Sequence, residues 1–91
     1  MEVKFNIFYQ KEVVQKHIPA LSPTAKDLIK RVIEERLMID PIGLGRPLRY
    51  SLKGHRRLRV GDYRVVYRIE REGNIVIIVA IKHRKDIYEE F

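Results

Sequence analysis

The chain has no cysteine. That absence excludes disulfides, thiolate-bound metals and cysteine nucleophiles, and it leads us to expect a reducing, cytoplasmic setting. No apolar run approaches the ~18 residues that a bilayer span needs, and the opening MEVKFNIFYQ lacks the apolar centre of a signal peptide. No carboxylate pair, HExxH, P-loop or GxSxG is present, and IGLG at 42–45 is a loop sequence, not a dinucleotide fingerprint. Linkers, internal repeats and low-complexity tracts are missing too. What is there is 91 residues, 45% hydrophobic and 34% charged, which predicts a single globular domain over 1–91 with little room for a deep pocket.

The charge is uneven. The chain carries a net +7, and residues 46–71 account for all of it, while 1–45 sum to +1 and 72–91 to −1. The basic residues of that segment are mostly arginine, whose guanidinium fork matches phosphate and carboxylate groups bidentately. A basic segment of this kind points to a polyanionic partner; its bland counterpart is a solvated face that keeps the protein soluble.

Residues 3–9 alternate, with Val3, Phe5, Ile7 and Tyr9 on one side, and predict a first strand. A short helix is expected over 11–18, ended by Pro19. Ser22-Pro23 starts a longer helix whose buried face is Ala25, Leu28, Ile29, Val32, Ile33 and Leu37, and Asp40-Pro41 ends it. IGLGRP reads as a loop, Leu48–Leu52 as a short strand, and His55–Val60 and Tyr63–Glu70 as a hairpin about Gly61-Asp62. Ile75–Ile81 is apolar enough to be buried on both faces, and HRKDIYEEF closes the chain as a strand end or short helix. The expected fold is α+β, in the order β-α-α-β-β-β-β, with two helices on one face of a mainly antiparallel four- to five-stranded sheet.

A two-residue turn at Gly61-Asp62 pairs Val60 with Tyr63, Arg59 with Arg64, Leu58 with Val65, Arg57 with Val66, Arg56 with Tyr67 and His55 with Arg68. Alternation then puts Leu58, Val60, Tyr63, Val65 and Tyr67 on one face with Arg56 as its only charge, and His55, Arg57, Arg59, Arg64 and Arg68 with Val66 on the other. Like charges opposite one another weaken a sheet, so this second face suits a bound anion. Its alternative is neutralisation from elsewhere in the chain, by Glu2, Asp40, Glu89 or Glu90. The last strand returns toward the turn and delivers Lys82, His83, Arg84 and Lys85 there, with Tyr88 one turn further on. His17 reads as an ordinary surface or boundary residue. With so few carboxylates near this zone, phosphoryl chemistry is expected to use no metal. Arginines would hold the phosphate while another group takes a proton from a ribose 2′-hydroxyl, a route open to RNA alone.

The segment LKGHRRLRVGDYRVVYRI (52–69), followed by an apolar strand and HRKDIY (83–88), resembles the RelE/ParE toxin superfamily over essentially the whole chain. The resemblance implies the toxin of a toxin–antitoxin pair, held inactive in a heteromeric complex with its cognate antitoxin. For RelE-like members it implies a ribosome-dependent mRNA endonuclease that needs no metal or cofactor and leaves a 2′,3′-cyclic phosphate. On that pattern Arg64 grips the scissile phosphate, His55 and Arg57 match the basic positions of the preceding strand, and Arg84, or with a shifted gap Lys82 or His83, is the proton donor. Tyr88 stacks on or orients the base, and Arg59, Arg68 and Lys85 extend the RNA-binding surface. Arg57 stands where such enzymes often have lysine. An arginine is a poor general base, so His83 or His55 is the candidate for that role. ParE-like members share the fold but act on DNA gyrase, which makes a topoisomerase inhibitor the second reading. A degenerate module that survives only bound to its antitoxin is the third.

Overall fold

The computed structural model describes residues 4–49 and 52–87. Strands β1 (Asn6–Tyr9), β2 (Arg46–Pro47), β3 (His55–Val60), β4 (Tyr63–Glu70) and β5 (Ile75–His83) form one sheet in the order β1-β5-β4-β3-β2. β1 runs parallel to β5 and the other pairs are antiparallel, so the α+β sheet is mixed at one edge. Between β1 and β2 lie a π-helix at Val13–His17, the helix α1 (Pro23–Val32) running on as a π-helix over Ile33–Leu37, and the short helix α2 (Pro41–Leu44). Among the described residues, no helix is long and apolar enough to cross a membrane.

Local chemistry sets these bounds. Ser22 is extended, its Oγ accepts the Ala25 N–H at 3.1 Å, and Pro23 fills the first helical position, where no amide hydrogen is needed. Both π-helices close wide turns, with the Ile18 N–H reaching the Val13 carbonyl and the Met38 N–H reaching that of Ile33, each at 2.9 Å. Ala25, Ile29, Ile33 and Leu37 form the buried stripe of the long helix, whereas Leu28 is 41% exposed. They join Val13, Leu21, Leu58, Val60, Val65, Tyr67, Val76, Ile78 and Ile81 in one core on the helix side of the sheet. Full burial of one such aliphatic side chain contributes about 1.5–3 kcal/mol, so this face holds the fold together.

Three sequence expectations are corrected. The stretch expected to be a loop contains α2, because Asp40 Oδ1 accepts the Gly43 N–H at 3.0 Å and Pro41 sits first in the turn. The short strand lies at Arg46–Pro47, ahead of Leu48–Leu52, and pairs with Arg57 and Arg56. β5 alternates between buried and half-buried residues and is not buried equally on both faces. It extends to His83 and is followed by a 3-10 turn at Arg84–Asp86. Val3 and the tail beyond Ile87 lie outside the described residues.

Gly45 and Tyr67 lock α2 onto the sheet. The buried Tyr67 hydroxyl donates to the Pro41 carbonyl at 2.6 Å and occupies the place where a Gly45 Cβ would stand. The Arg56 guanidinium, the one charge that the β3–β4 hairpin turns to the helix face, donates to the Ile42 and Gly45 carbonyls at 2.6 and 2.5 Å. It thereby satisfies carbonyls at the end of α2 that have no partner within the helix.

Candidate functional site

The β3–β4 turn fixes the site. Gly61 takes a φ of +58° while Asp62 stays out of the left-handed region, the pattern of a type II′ hairpin with glycine first. The register that follows pairs Val60 with Tyr63, Arg59 with Arg64, Arg57 with Val66 and His55 with Arg68, as the two-residue turn predicts. β5 adds Lys82 opposite Arg64, and β2 adds Arg46 opposite Arg57. On the face away from the core, one row across three strands therefore reads Arg59-Arg64-Lys82. The next row reads Arg46-Arg57-Val66-Ala80. With neighbouring strands ~4.8 Å apart, the Cα atoms of the first row span ~10 Å, and the Lys82 side chain reaches from the end of that row to the pocket beside His17.

Val66 and Ala80 are 0% and 3% exposed yet stand outside the helix-side core, so they form a small apolar floor beneath the basic rows. At the β2–β3 side of the sheet opens a cleft of about 360 Å³ lined by Leu44, Arg46, Arg57, Leu58, Arg59 and Arg64.

Arg64 is the centre of this field. Its Nη1 donates to the Gly61 carbonyl at 3.1 Å and to the Tyr63 carbonyl at 2.9 Å, which folds the guanidinium over the turn and leaves its other N–H groups available. Its pKa is pushed below the ordinary guanidinium value, first by burial and then by Arg59, Arg57 and Arg84; Asp62 opposes the shift. Arg84 reaches the same end of the sheet: its N–H donates to the Asp62 carbonyl at 2.7 Å, and its Nε lies 3.8 Å from Asp62 Oδ1. Among the described residues, no carboxylate comes within ion-pair distance of Arg46, Arg57, Arg59 or Arg64. Asp40, one candidate neutraliser, instead caps α2. Glu2, Glu89 and Glu90 lie outside the described residues.

The structure thus gathers Arg57, Arg59, Arg64, Lys82 and Arg84 at one end of the face. Arg46 joins them through β2 pairing, a placement the sequence reading missed. Its only sequence signal was membership of the basic segment.

Other candidates go elsewhere. His83 pairs with Tyr63 and so faces the helix side. Its ring meets the Tyr63 ring edge-on at 5.4 Å and 81°, and its Nδ1 accepts the Lys85 N–H. Lys85 follows it into a separate pocket. His55 and Arg68 share the arginine face but pair with each other two further rows from Arg64, and Arg68 is in an ion pair with Glu70 at 2.8 Å. Neither imidazole proposed as a base is in the arginine cluster. Tyr88 lies outside the described residues. Among the described residues, no three His, Asp or Glu side chains converge as a metal-ligand set.

This geometry can be set beside known proteins. The model for the ParE toxin of the type II toxin–antitoxin system, parDE, matches residues 7–88. Toxin RelG of Mycobacterium tuberculosis is 45% identical over 49 residues, which are 54% of this chain and 56% of that protein. The chain therefore matches only about half the length of this relative. The toxin–antitoxin complex RelBE2 of M. tuberculosis contains a chain that superposes with a TM-score of 0.84 at 28% identity, over 90% of this chain and 100% of that one. The RelE–RelB complex of Pyrococcus horikoshii gives 0.71 at 21% identity, over 93% and 100%, a likeness of fold. The α+β fold and the match over nearly the whole chain lead to one conclusion: the chain belongs to the ParE toxin family of type II toxin–antitoxin systems, within the RelE/ParE superfamily.

Proposed function

We propose that this toxin is an endoribonuclease that cleaves mRNA on the ribosome without a metal ion. The observation that carries the reading is the Arg59-Arg64-Lys82 row, with Arg57, Arg46 and Arg84 around it, facing away from the core with little internal neutralisation. Arg64 binds a non-bridging oxygen of the scissile phosphate, and Arg57 and Arg59 stabilise the negative charge that builds on the phosphoryl oxygens. The ribose 2′-oxygen bonds to phosphorus as its proton passes to solvent. The bond to the 5′-oxygen then breaks, leaving a 2′,3′-cyclic phosphate and a 5′-hydroxyl. The cation beside Arg64 in the row, Lys82, supplies the proton to that leaving oxygen, since His83 occupies the opposite face. The antitoxin-bound state of the RelBE2 and RelE–RelB relatives supports an antitoxin partner here as well, one that sets acidic side chains against the basic rows.

The test is inducible expression with primer extension on cellular mRNA. Arg64→Ala is expected to lower cleavage by ~100-fold or more, the loss typical when one oriented charge donor is removed from a transition state. Cleavage by purified toxin on ribosomes is expected to survive chelators at concentrations that leave the ribosomes intact. Growth arrest undiminished in Arg64→Ala would overturn the assignment. The family match to ParE favours a second reading, inhibition of DNA gyrase. A supercoiling assay run in parallel decides it: loss of supercoiling with intact mRNA selects the second reading.

A further inference from the structure

A second basic site stands around the corner from the arginine rows. β1 pairs with β5 only as far as Ile78, so among the described residues the upper half of β5 has no strand on that side. The π-helix Val13–His17 packs there instead, and His17 Nδ1 accepts the Ile81 N–H at 3.2 Å, which satisfies an amide that would otherwise be open on a sheet edge. Between this helix and the end of β5 lies a pocket of about 440 Å³. Its lining, among the described residues, includes Lys16, His17, Tyr63, Lys82, His83 and Lys85, with Asp86 as its one carboxylate.

The two imidazoles are held alike. Each has its Nδ1 engaged as acceptor of a backbone N–H, from Ile81 for His17 and from Lys85 for His83. A ring nitrogen that accepts carries no hydrogen, so in both rings Nε2 carries the proton and is a donor. Two fixed N–H donors and three ammonium groups around one cavity are a set of partners for an oxyanion. The positive character is felt at His17, whose pKa is lowered first by burial, then by Lys82, and also by Lys16, with Glu12 opposing. Lys82 belongs to both sites, because it lines this pocket and pairs with Arg64 across the strand.

We propose that this pocket is a second phosphodiester subsite, which holds the backbone of the same single-stranded polynucleotide as it leaves the arginine face past the end of β5 beside the π-helix. The proposal deepens the ribonuclease reading and rests on it for the identity of the polymer. Lys16 and Lys85 are exposed, and the half-buried Tyr63 lines this pocket beside His83, where its ring can meet a base.

The test uses the full chain and a non-cleavable all-2′-deoxy decanucleotide, read by long-range ¹H–¹⁵N spectra of the imidazoles and by affinity as a function of salt. The Nε2 signals of His17 and His83 are expected to shift on titration. Lys16→Gln with Lys85→Gln is expected to weaken binding several-fold and to reduce the salt slope by about 0.7 for each phosphate that is no longer neutralised. These lysines are outside the core, and an unchanged backbone spectrum checks the fold. If the double variant keeps wild-type affinity and slope while Arg59→Gln and Arg64→Gln lose binding, the subsite is wrong and the arginine reading stands. Should the imidazole signals and the lysine dependence persist with no loss in either arginine variant, the subsite stands and the arginine reading falls. Shifts with inorganic phosphate but none with the decanucleotide would identify a free-anion site and overturn the polynucleotide path.

Discussion

Replacing Arg59 with glutamine is expected to make the protein more stable. Arg59 stands directly opposite Arg64 and two strands from Lys82 in one row of three basic residues, with no carboxylate partner among the described residues. A like-charged pair at this spacing costs about 0.2–1 kcal/mol, and Arg59 faces one such neighbour directly and another at longer range, so its removal is worth about 0.5–1 kcal/mol. For a domain of this size that corresponds to a rise in melting temperature of about 3–6 °C. Arg64→Gln is a poorer probe, since it relieves the same repulsion but also gives up the bonds to the Gly61 and Tyr63 carbonyls. The assay is thermal unfolding followed by circular dichroism at low salt, repeated near 1 M salt, where the Debye length falls to about 3 Å and the gain is expected to vanish. Phosphate or an RNA oligomer is expected to stabilise the wild type more than the variant. A variant that melts below the wild type at low salt, or a gain indifferent to salt, would show that the row is not under repulsion and that no anion is needed to relieve it.

Tyr67→Phe leaves the Pro41 carbonyl without its buried donor and is expected to cost about 1–3 kcal/mol in urea unfolding. Gly45→Ala drives a methyl into the same hydroxyl and is expected to be comparably destabilising; a neutral outcome for both would mean that α2 is not locked to the sheet. Gly61→Val, at a φ of +58°, is expected to cost about 1–2 kcal/mol in the same measurement and to weaken RNA binding by disturbing the Arg59–Arg64 register. For His17, whose folded pKa is lowered, stability is fully present above the unfolded value of about 6.5. It is lost as pH falls through that value toward the folded pKa, because the unfolded chain takes up the proton first. Urea midpoints measured from pH 8 to 5 are expected to fall more steeply for the wild type than for His17→Asn, which keeps an acceptor that does not titrate; parallel curves would remove His17 from the acid limb.

Much of the arginine face was legible in the sequence because a two-residue turn and strict alternation leave no freedom: once Gly61 accepts a left-handed φ, Arg57, Arg59 and Arg64 must share a side. The long helix was legible for a similar reason, its stripe of Ala25, Ile29, Ile33 and Leu37 repeating at helical spacing. β5 was not. IVIIVAI is apolar at odd and even positions alike, so nothing in it reveals its phase. The ladder also slips between Val66 and Tyr67, where Ala80 and Ile78 are the successive partners and Val79 is the extra residue. That phase, known only from the pairing with β4, sends Lys82 to the arginines and His83 to the helix side.

The charge field, the helix stripe and the hairpin register follow from local chain order, since each depends on residues close together in the chain. Tertiary structure alone decided which distant residues share the site. Arg46 enters because β2 is short and starts early, held by Asp40 and Arg56 at the two ends of α2. His17 reaches Ile81 across 64 positions because the first strand ends before β5 does, leaving an edge amide that a folded chain must satisfy with something.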